Sequence, residues 1–307
     1  MQRPSFEPTS FHFTRTMVTV ALAEASTGFG LIMLRTFLHL NTAGKYTVIL
    51  LSRSAQPDLA AKGVDLVHAL SDVHTLLATL GGDPPGLRDA QLALIAAVQE
   101  AGVKRFAPSE YASISNEGID LYRHKSEVWA ATQKCGMEYT RFSCGLFMSL
   151  LATGTPKPVT AVGEREGAKS GEEEALAGLR PWNFVINIKA GTADLLGDGS
   201  TEINLGVRGD VKSFRDIVRM VERVQKRKFL VGENSVASMK EKTADPGKTF
   251  YNQVRVAIAE GWGKKVPRNL NEAFPDVRTV TCEESVEMWW SGVELPESSW
   301  GEDQSFM

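Results

Sequence analysis

The sequence predicts an α/β fold built on a doubly wound parallel sheet. Short apolar, β-branched runs at 17–23, 45–53 and 63–70 are typical of buried strands. Apolar residues at helical spacing occupy 30–40, between the first two runs. Because strands that alternate with helices form parallel sheets, we assign this sheet to 17–150 and a smaller α+β region to 151–307. Residues 1–16 are expected to form an irregular extension.

Composition excludes several classes of protein. The 307 residues are 43% hydrophobic, which is enough for a substantial core, and a net charge of −3 does not favour nucleic-acid binding. Cys135, Cys144 and Cys282 are few and scattered, which fits a reducing, cytoplasmic compartment and no disulfide framework. We find no membrane-spanning run, no secretory signal in 1–16 and no metal site. Monomer and homodimer both stay open.

The alternating pattern breaks at 71–86. A crossover helix and a fourth strand are expected here, but the segment is too short for both. If 73–80 ("VHTLLATL") is a helix, the strand is missing; if it is a strand, the helix is missing. The residues alone leave both alternatives open.

The remaining elements follow from periodicity. The charged, glycine-rich stretch 163–178 predicts a solvated loop. We predict helices over 87–103 and 122–136, from about Ser213 within 209–227, and near 283–291, with strands in 104–112, 137–148 and 183–191.

The turn "ALAEASTGFG" (21–30) connects the first strand to the first helix. Gly28 and Gly30 can supply the positive φ and the close backbone approach that a diphosphate needs at a helix N-terminus. The hydroxyls of Ser26 and Thr27 can also donate to phosphate. However, a carboxylate at Glu24 would be unfavourable beside a diphosphate unless it points away.

The glycine pattern of this turn is incomplete in either register. One register gives Ala25-x-x-Gly28-x-x-Leu31, and the other gives Glu24-x-x-Thr27-x-x-Gly30. The turn alone is therefore equally compatible with an ordinary strand–helix connection.

Ser52 and Arg53 follow the second strand, where such folds recognise the adenosine ribose. An acid there favours a free 2′-hydroxyl, whereas an arginine accommodates a 2′-phosphate. Arg53 therefore favours NADP over NAD if a cofactor binds, although a solvated arginine at a strand end is an equally good interpretation.

Tyr122 and Lys125 lie three residues apart on a predicted helix and share one face. A lysine in a partly buried site can hydrogen-bond a ribose or act as an acid or base. A surface lysine is the competing interpretation.

Together these segments resemble the NmrA-like and isoflavone-reductase-like branch of the atypical short-chain dehydrogenases. The most specific match is "AGVKRFAPSEYA" (101–112), followed by Lys125, "GMEYTRFSCGLFM" (136–148) and 197–221. The resemblance covers 17–225 and is weak beyond. It supports 73–80 as a strand, with the preceding helix lost or shortened.

The resemblance implies a Rossmann-like domain that binds NADPH across the carboxyl edge of its sheet, with 151–307 as a substrate-binding region interleaved with that sheet. By position, Lys125 is the catalytic lysine, with Tyr122 beside it. Some fungal members carry "GTSGLG" at the turn, so Ala25 stands in place of the first glycine. The implied cofactor-binding residues are Ala25, Ser26, Thr27, Gly28, Phe29, Gly30, Ser52, Arg53, Leu80, Gly81, Gly82, Ser109, Glu110, Lys125, Ser143 and Gly145.

The predicted function is NADPH-dependent reduction of a small molecule. Apolar side chains implied to line the substrate cleft suit an aromatic or polycyclic specialised metabolite: Tyr111, Phe142, Phe147, Met148 and Trp182. The bond reduced would be C=C, C=N or iminium, with a following cyclisation as in fungal alkaloid-type pathways. The alternative is a non-catalytic, NADP-binding redox sensor that acts through a protein partner, against which Lys125 argues.

Overall fold

The first half of the chain forms a parallel sheet flanked by helices. The computed structural model describes residues 17–26, 28–41, 43–52, 65–66, 70–82, 84–113, 115, 117–158, 170–176, 179, 181, 183, 185–197, 202–205, 210–245, 247, 249–261, 270 and 274–301. The extension predicted over 1–16 lies outside them.

Six strands make up this sheet, in the order β3-β2-β1-β4-β5-β6, with every neighbouring pair parallel. The chain moves outward from β1 to β3 and then restarts on the other side of β1 with β4. The order therefore reverses between β1 and β4, which confirms the doubly wound prediction. The strands are β1 (Val18–Ala23), β2 (Tyr46–Leu51), β3 (Asp65–Leu66), β4 (Thr75–Ala78), β5 (Arg105–Ala107) and β6 (Glu138–Tyr139).

Both faces of this sheet are buried, as parallel sheets require. Alternate residues along β1 serve different cores: Ala21 packs with Ile49 and Phe106 on one face. Leu22 packs with Leu50 on the other. The covering helices are α1 (Gly28–Leu40), α2 (Pro84–Glu100) and α3 (Arg123–Lys134).

The segment 71–86 contains the fourth strand and no crossover helix in its described part. Thr75–Ala78 is β4, and residues 70–74 before it are irregular. The strand alternative for 73–80 is thereby confirmed.

The second half builds two smaller sheets on a separate core. β7 (Ile186–Asn187), β8 (Thr192–Leu196) and β11 (Leu230–Asn234) form a mixed sheet in the order β11-β8-β7. β9 (Glu202–Leu205) pairs antiparallel with β10 (Asp210–Ser213). Helices follow as α4 (Gly171–Leu176), α5 (Phe214–Gln225), α6 (Val236–Lys242), α7 (Thr249–Ala259) and α8 (Cys282–Trp290).

The core of this half centres on the fully buried Trp290, whose indole N–H donates to the carbonyl of Leu151 at 2.7 Å. Two predictions made for this half need correction. Residues 171–176 form α4 rather than a loop, because Ala175 and Leu176 pack into buried positions. The strand predicted over 183–191 is confined to 186–187, since the chain turns at 188–191.

Two helices of the second half, α5 and α8, begin at capping boxes. The Ser213 hydroxyl accepts from the amide of Asp216 and the Asp216 carboxylate accepts in return, which fixes the predicted start of α5. Thr281 and Glu284 do the same for α8. Among the described helices, none is long and apolar enough to cross a membrane.

Candidate active site

A cavity of about 540 Å³ opens at the carboxyl ends of β1, β4 and β5, beside the point where the strand order reverses. Parallel sheets bind ligands at this place because adjacent loops diverge there. Its lining residues are Glu24, Ser26, Gly28, Phe29, Ser52, Thr79, Leu80, Gly81, Ser109, Glu110, Tyr111, Ala112, Tyr122, Lys125, Phe147 and Leu179.

The turn after β1 adopts two left-handed backbone positions. Gly28 has a φ of 53°, which a glycine adopts without strain, whereas Glu24 has a φ of 60°. Ala25 is fully buried and does not take a positive φ. The strained residue is therefore Glu24, one position earlier than the alanine that the family pattern singles out.

Gly30 allows α1 to pack directly against the strand ends. A Cβ at this position would lie 2.5 Å from Thr79 Oγ1, 2.7 Å from Ala25 Cα and 2.9 Å from the Glu24 carbonyl oxygen. The Thr79 hydroxyl is itself held by the Ala23 carbonyl at 2.8 Å. Gly30 thus allows a close helix–strand approach of the kind that the last glycine allows in dinucleotide-binding turns.

Lys125 reaches from α3 to the loop after β5. Its ammonium donates to the carbonyl oxygens of Ser109 at 2.5 Å and Glu110 at 2.8 Å. The Ser109 hydroxyl donates to the Leu80 carbonyl at 2.8 Å, and the Ser109 amide donates to Gln91 Oε1 at 2.7 Å. This network connects the ends of β4 and β5 and holds the lysine against the cavity.

Burial lowers the pKa of Lys125 to about 8, with a smaller opposing effect from Glu110 and a further lowering by Arg141. The ammonium lies 5.6 Å from the centre of the Tyr122 ring. Burial also raises the pKa of Tyr122, so its phenol stays protonated at neutral pH. At that pH Lys125 is still mainly charged but can give up its proton more readily than a surface lysine.

Glu110 is buried and paired. Its carboxylate contacts Arg141 at 2.9 Å, and the Arg141 guanidinium stacks 5.4 Å from the centre of the Trp129 ring. A buried carboxylate needs such a partner, so this pair anchors the loop that carries the carbonyl acceptors of Lys125.

One wall of the cavity is aromatic. The Phe29 ring lies 4.8 Å from that of Tyr111 and 5.2 Å from that of Phe147. Phe142 stacks behind Tyr111 at 6.2 Å with nearly parallel planes. The turn, the loop after β5 and the segment after β6 therefore meet in a continuous apolar surface.

Most of the predicted site residues lie at this cavity. Ala25 and Gly30 lie beneath its wall, whereas Gly82 is exposed at its margin and is not a lining residue. Those that line it directly are Ser26, Gly28, Phe29, Ser52, Leu80, Gly81, Ser109, Glu110, Tyr111, Tyr122, Lys125 and Phe147.

Several predicted residues lie elsewhere. Ser143 bridges to Ala112, and the Gly145 amide donates to the Ala112 carbonyl at 3.2 Å, so both support the wall from behind. Met148 packs on the core of the second half, because the segment after Phe147 turns towards Trp290. Thr27, Arg53 and Trp182 lie outside the described residues.

Gln91, Thr79 and Arg141 are supporting residues that sequence reasoning missed. Gln91 is fully buried on α2 and shares a helical face with Ile95 and Val98. A polar side chain on an otherwise apolar helical face is a signal that could have identified it.

Comparisons with known proteins find relatives for much of the chain. Residues 48–171 match the NmrA-like family. The chain is 27% identical over 236 residues to "Oxidoreductase BOA1" of Botryotinia fuckeliana, covering 71% of each protein. It is 27% identical over 219 residues to a probable pinoresinol-lariciresinol reductase of Arabidopsis thaliana, covering 63% of this chain and 69% of that protein.

Solved structures share the fold at low identity. The NADPH complex of leucoanthocyanidin reductase from Vitis vinifera aligns with a TM-score of 0.65 at 14% identity, over 88% of this chain and 99% of that one. An isoflavone reductase aligns with a TM-score of 0.63 at 15% identity, over 88% and 98%. The chain is thus similar to the NmrA-like family over 48–171, and its fold is that of the isoflavone-reductase structures.

Proposed function

We propose that the chain is an NADPH-dependent reductase of a small aromatic or polycyclic molecule. One observation carries this proposal: a single cavity brings the turn at 24–30 together with Lys125 and an aromatic wall. Two relatives named as an oxidoreductase and a probable reductase support the reaction class. NADPH-bound reductases with the same fold support the cofactor.

The residues present fit a dinucleotide. The first amides of α1, beginning at Gly28, have no partner within the helix and can donate to a diphosphate. The missing Cβ of Gly30 lets α1 pack closely against the strand ends, beside the cavity. Ser52, at the carboxyl end of β2, lines the same cavity, and Arg53 follows it in sequence. These residues would hold the diphosphate and the adenosine ribose, and the cofactor would supply a hydride.

Lys125 would orient the cofactor ribose and supply the proton. Its carbonyl contacts fix the ammonium beside the Tyr122 ring, and its lowered pKa eases proton release at the end of reduction. The wall formed by Phe29, Tyr111 and Phe147 would accept a flat apolar substrate with a C=C, C=N or iminium bond.

Cofactor titration tests the first part of this proposal. NADPH should bind more tightly than NADH, and Arg53→Ala should weaken NADPH by about tenfold or more while changing NADH little, since it removes a charged contact to the 2′-phosphate. Arg219→Ala, an exposed arginine on α5, is the matched control. Equal losses of affinity for NADPH and NADH in Arg53→Ala would refute the role of Arg53. Failure of the wild type to bind either cofactor would refute the proposed function.

Measuring substrate turnover distinguishes the reductase from the alternative, a non-catalytic redox sensor. Lys125→Met should bind NADPH and reduce substrate at least about 100-fold more slowly, as expected for loss of a general acid. Lys134→Met, at the exposed end of the same helix, should keep the wild-type rate. Panels of aromatic enones and imines, followed at the NADPH absorbance, provide the assay. Unchanged turnover in Lys125→Met would contradict the assignment.

A further inference from the structure

Gln91 is a polar side chain at a position where the helix pattern calls for an apolar one. It is fully buried on α2, on the helical face that carries Ile95 and Val98 into the core beside the sheet. Its Oε1 accepts from the Ser109 amide at 2.7 Å, whereas its Nε2 has no hydrogen-bond partner among the residues that the structure describes. Because an unpaired buried donor lowers stability, the contact with Ser109, rather than packing, explains a glutamine here.

The loop that Gln91 contacts is a strained bend over residues 108–111. The Glu110 amide donates to the Pro108 carbonyl at 2.8 Å, which closes a three-residue turn centred on Ser109. Tyr111 then takes a left-handed φ of 35°, which a residue with a side chain keeps only when its surroundings impose it. The Ser109 amide donates to Gln91, and its hydroxyl donates at 2.8 Å to a carbonyl in the chain after β4. Gln91 therefore supports the bend from outside the loop.

The bend turns two consecutive carbonyls towards Lys125. The ammonium donates to the carbonyl oxygens of Ser109 at 2.5 Å and Glu110 at 2.8 Å. In an extended strand consecutive carbonyls point to opposite sides, so their convergence on one ammonium requires the bend. An ammonium has three N–H donors, and these contacts use two of them. Since Lys125 lines the cavity, one donor is left for an acceptor there.

We propose that Gln91 is a positioning residue for Lys125. It holds the bend in place, and the bend holds the ammonium with one N–H available to the cavity. Gln91 acts through Ser109 and is not itself among the described lining residues. The placement of the ammonium can be tested without a ligand, whereas its consequence for reduction rests on the proposed function.

Two substitutions remove this support in different ways. Gln91→Met keeps the length of the side chain but has no acceptor, and Gln91→Asn withdraws the amide by one methylene. In either variant the bend can relax, so the carbonyls withdraw and the charged form of Lys125 loses their stabilisation. The pKa of Lys125, about 8 in the wild type, should fall to about 7.5 or below, the result of losing part of a hydrogen bond to a charged group.

Gln91→Met should still fold, because it exchanges one unpaired buried donor, Nε2, for another, the Ser109 amide. Its melting temperature should stay within about 4 °C of the wild-type value. Gln99→Met is the matched control. Gln99 lies on the same helix and donates to the Cys135 carbonyl at 2.6 Å, away from the bend, so its loss should leave the pKa of Lys125 unchanged.

The ¹³Cε resonance of Lys125, assigned by its absence in Lys125→Met, reports this pKa in protein labelled at lysine. The other titratable groups around the ammonium and the cavity are the same in the wild type and in the glutamine variants: Glu24, Glu110, Tyr111, Tyr122, His124 and Arg141. A difference between these proteins therefore reports the carbonyl contacts.

An unchanged or raised pKa in both Gln91 variants would overturn the proposal. An equal fall in Gln99→Met would overturn it too, since it would reflect a general loosening of α2. With saturating NADPH and the panel of enones and imines, both Gln91 variants should turn over about fivefold or more slowly, whereas Gln99→Met should keep the wild-type rate. If the wild type binds no dinucleotide, the proposed function fails, while the titration still decides how Lys125 is held.

Discussion

At the scale of the residue, the site depends on a few positions where no other side chain fits. Gly30 is the clearest, because its absent Cβ is what lets α1 approach β1 and β4. Gly30→Ala should lower the free energy of unfolding by about 1–3 kcal/mol through overpacking and should weaken NADPH binding by displacing the turn. Urea unfolding and cofactor titration measure the two effects.

Substitution of Gly86 provides a control that should change the free energy of unfolding in the opposite direction. This glycine lies near the start of α2 with open space around it, so Gly86→Ala should stabilise the protein by about 0.5–1 kcal/mol through helix propensity. If Gly30→Ala and Gly86→Ala changed the free energy of unfolding in the same direction, the close approach of α1 to the strands would not explain why residue 30 is a glycine.

Lys125 makes stability depend on pH in a defined direction. Its folded pKa, about 8, lies below its ordinary value of 10.5, so the folded state disfavours the charged form. The free-energy cost of burying the charged ammonium is present in full below pH 8. It disappears as the pH rises through 8 towards 10.5, so the stability of the folded protein rises over that range. Between pH 7 and 10, wild type should therefore gain roughly 2–3 kcal/mol relative to Lys125→Met.

Denaturant unfolding of both proteins across that range gives the comparison, because the titrations of other groups cancel between them. A difference that fell with rising pH would contradict burial as the cause of the shift.

Sequence reasoning identified most of the lining residues in two ways: the turn and Ser52 from their places after the first two strands, and the others from the resemblance to a known family. Ser109 and Lys125 belong to motifs that place them at the carboxyl edge, and both line the cavity. Glu24 could not be identified as the strained residue, since a left-handed glutamate arises from its contacts with β2 and Gly30 rather than from local preference. Gln91 was not recognised as a supporting residue, because its hydrogen-bond partner, the Ser109 amide, is remote in sequence.

At the scale of the element, local signals predict boundaries well where a cap fixes them. The start of α5 near Ser213 was predicted, and the capping box with Asp216 accounts for it. The crossover before β4 was not decided from the residues, because a short apolar run such as 73–80 fits a strand and a helical segment equally well.

The cap of α5 makes a measurable contribution. Ser213→Ala leaves the amide of Asp216 without its acceptor and should cost about 1 kcal/mol, or more because Ser213 is buried. Ser213→Asp should restore part of this loss in its cap geometry, while NADPH affinity should stay at the wild-type value in both. Thermal unfolding with a cofactor titration tests this; a loss of affinity in Ser213→Ala would show that α5 also supports the cavity.

At the scale of the whole molecule, the two halves meet beside the cavity. The Gln253 side chain of α7 accepts from the Asp120 amide at 3.0 Å and donates to the Asp120 carboxylate at 2.7 Å. Phe250 packs edge-on against Tyr122 at 5.6 Å. Since Tyr122 lines the cavity, a cavity residue of the first half is held in place by a helix of the second half.

This contact predicts that cofactor binding stabilises both halves together. A ligand present at 1,000 times its Kd stabilises the unit that binds it by about 4 kcal/mol, and a neighbouring unit shares the gain only through contacts that must break when either one opens. In wild type, NADPH should therefore slow hydrogen exchange in 249–259 as well as in 24–30 and 109–112. In Phe250→Ala/Gln253→Ala, the protection should remain in 24–30 and 109–112 and vanish from 249–259. Phe274→Ala, an exposed aromatic away from this contact, should behave as wild type. Protection of 249–259 that survives in the double variant would mean that the halves are coupled elsewhere, through the segment that connects Phe147 to the core around Trp290.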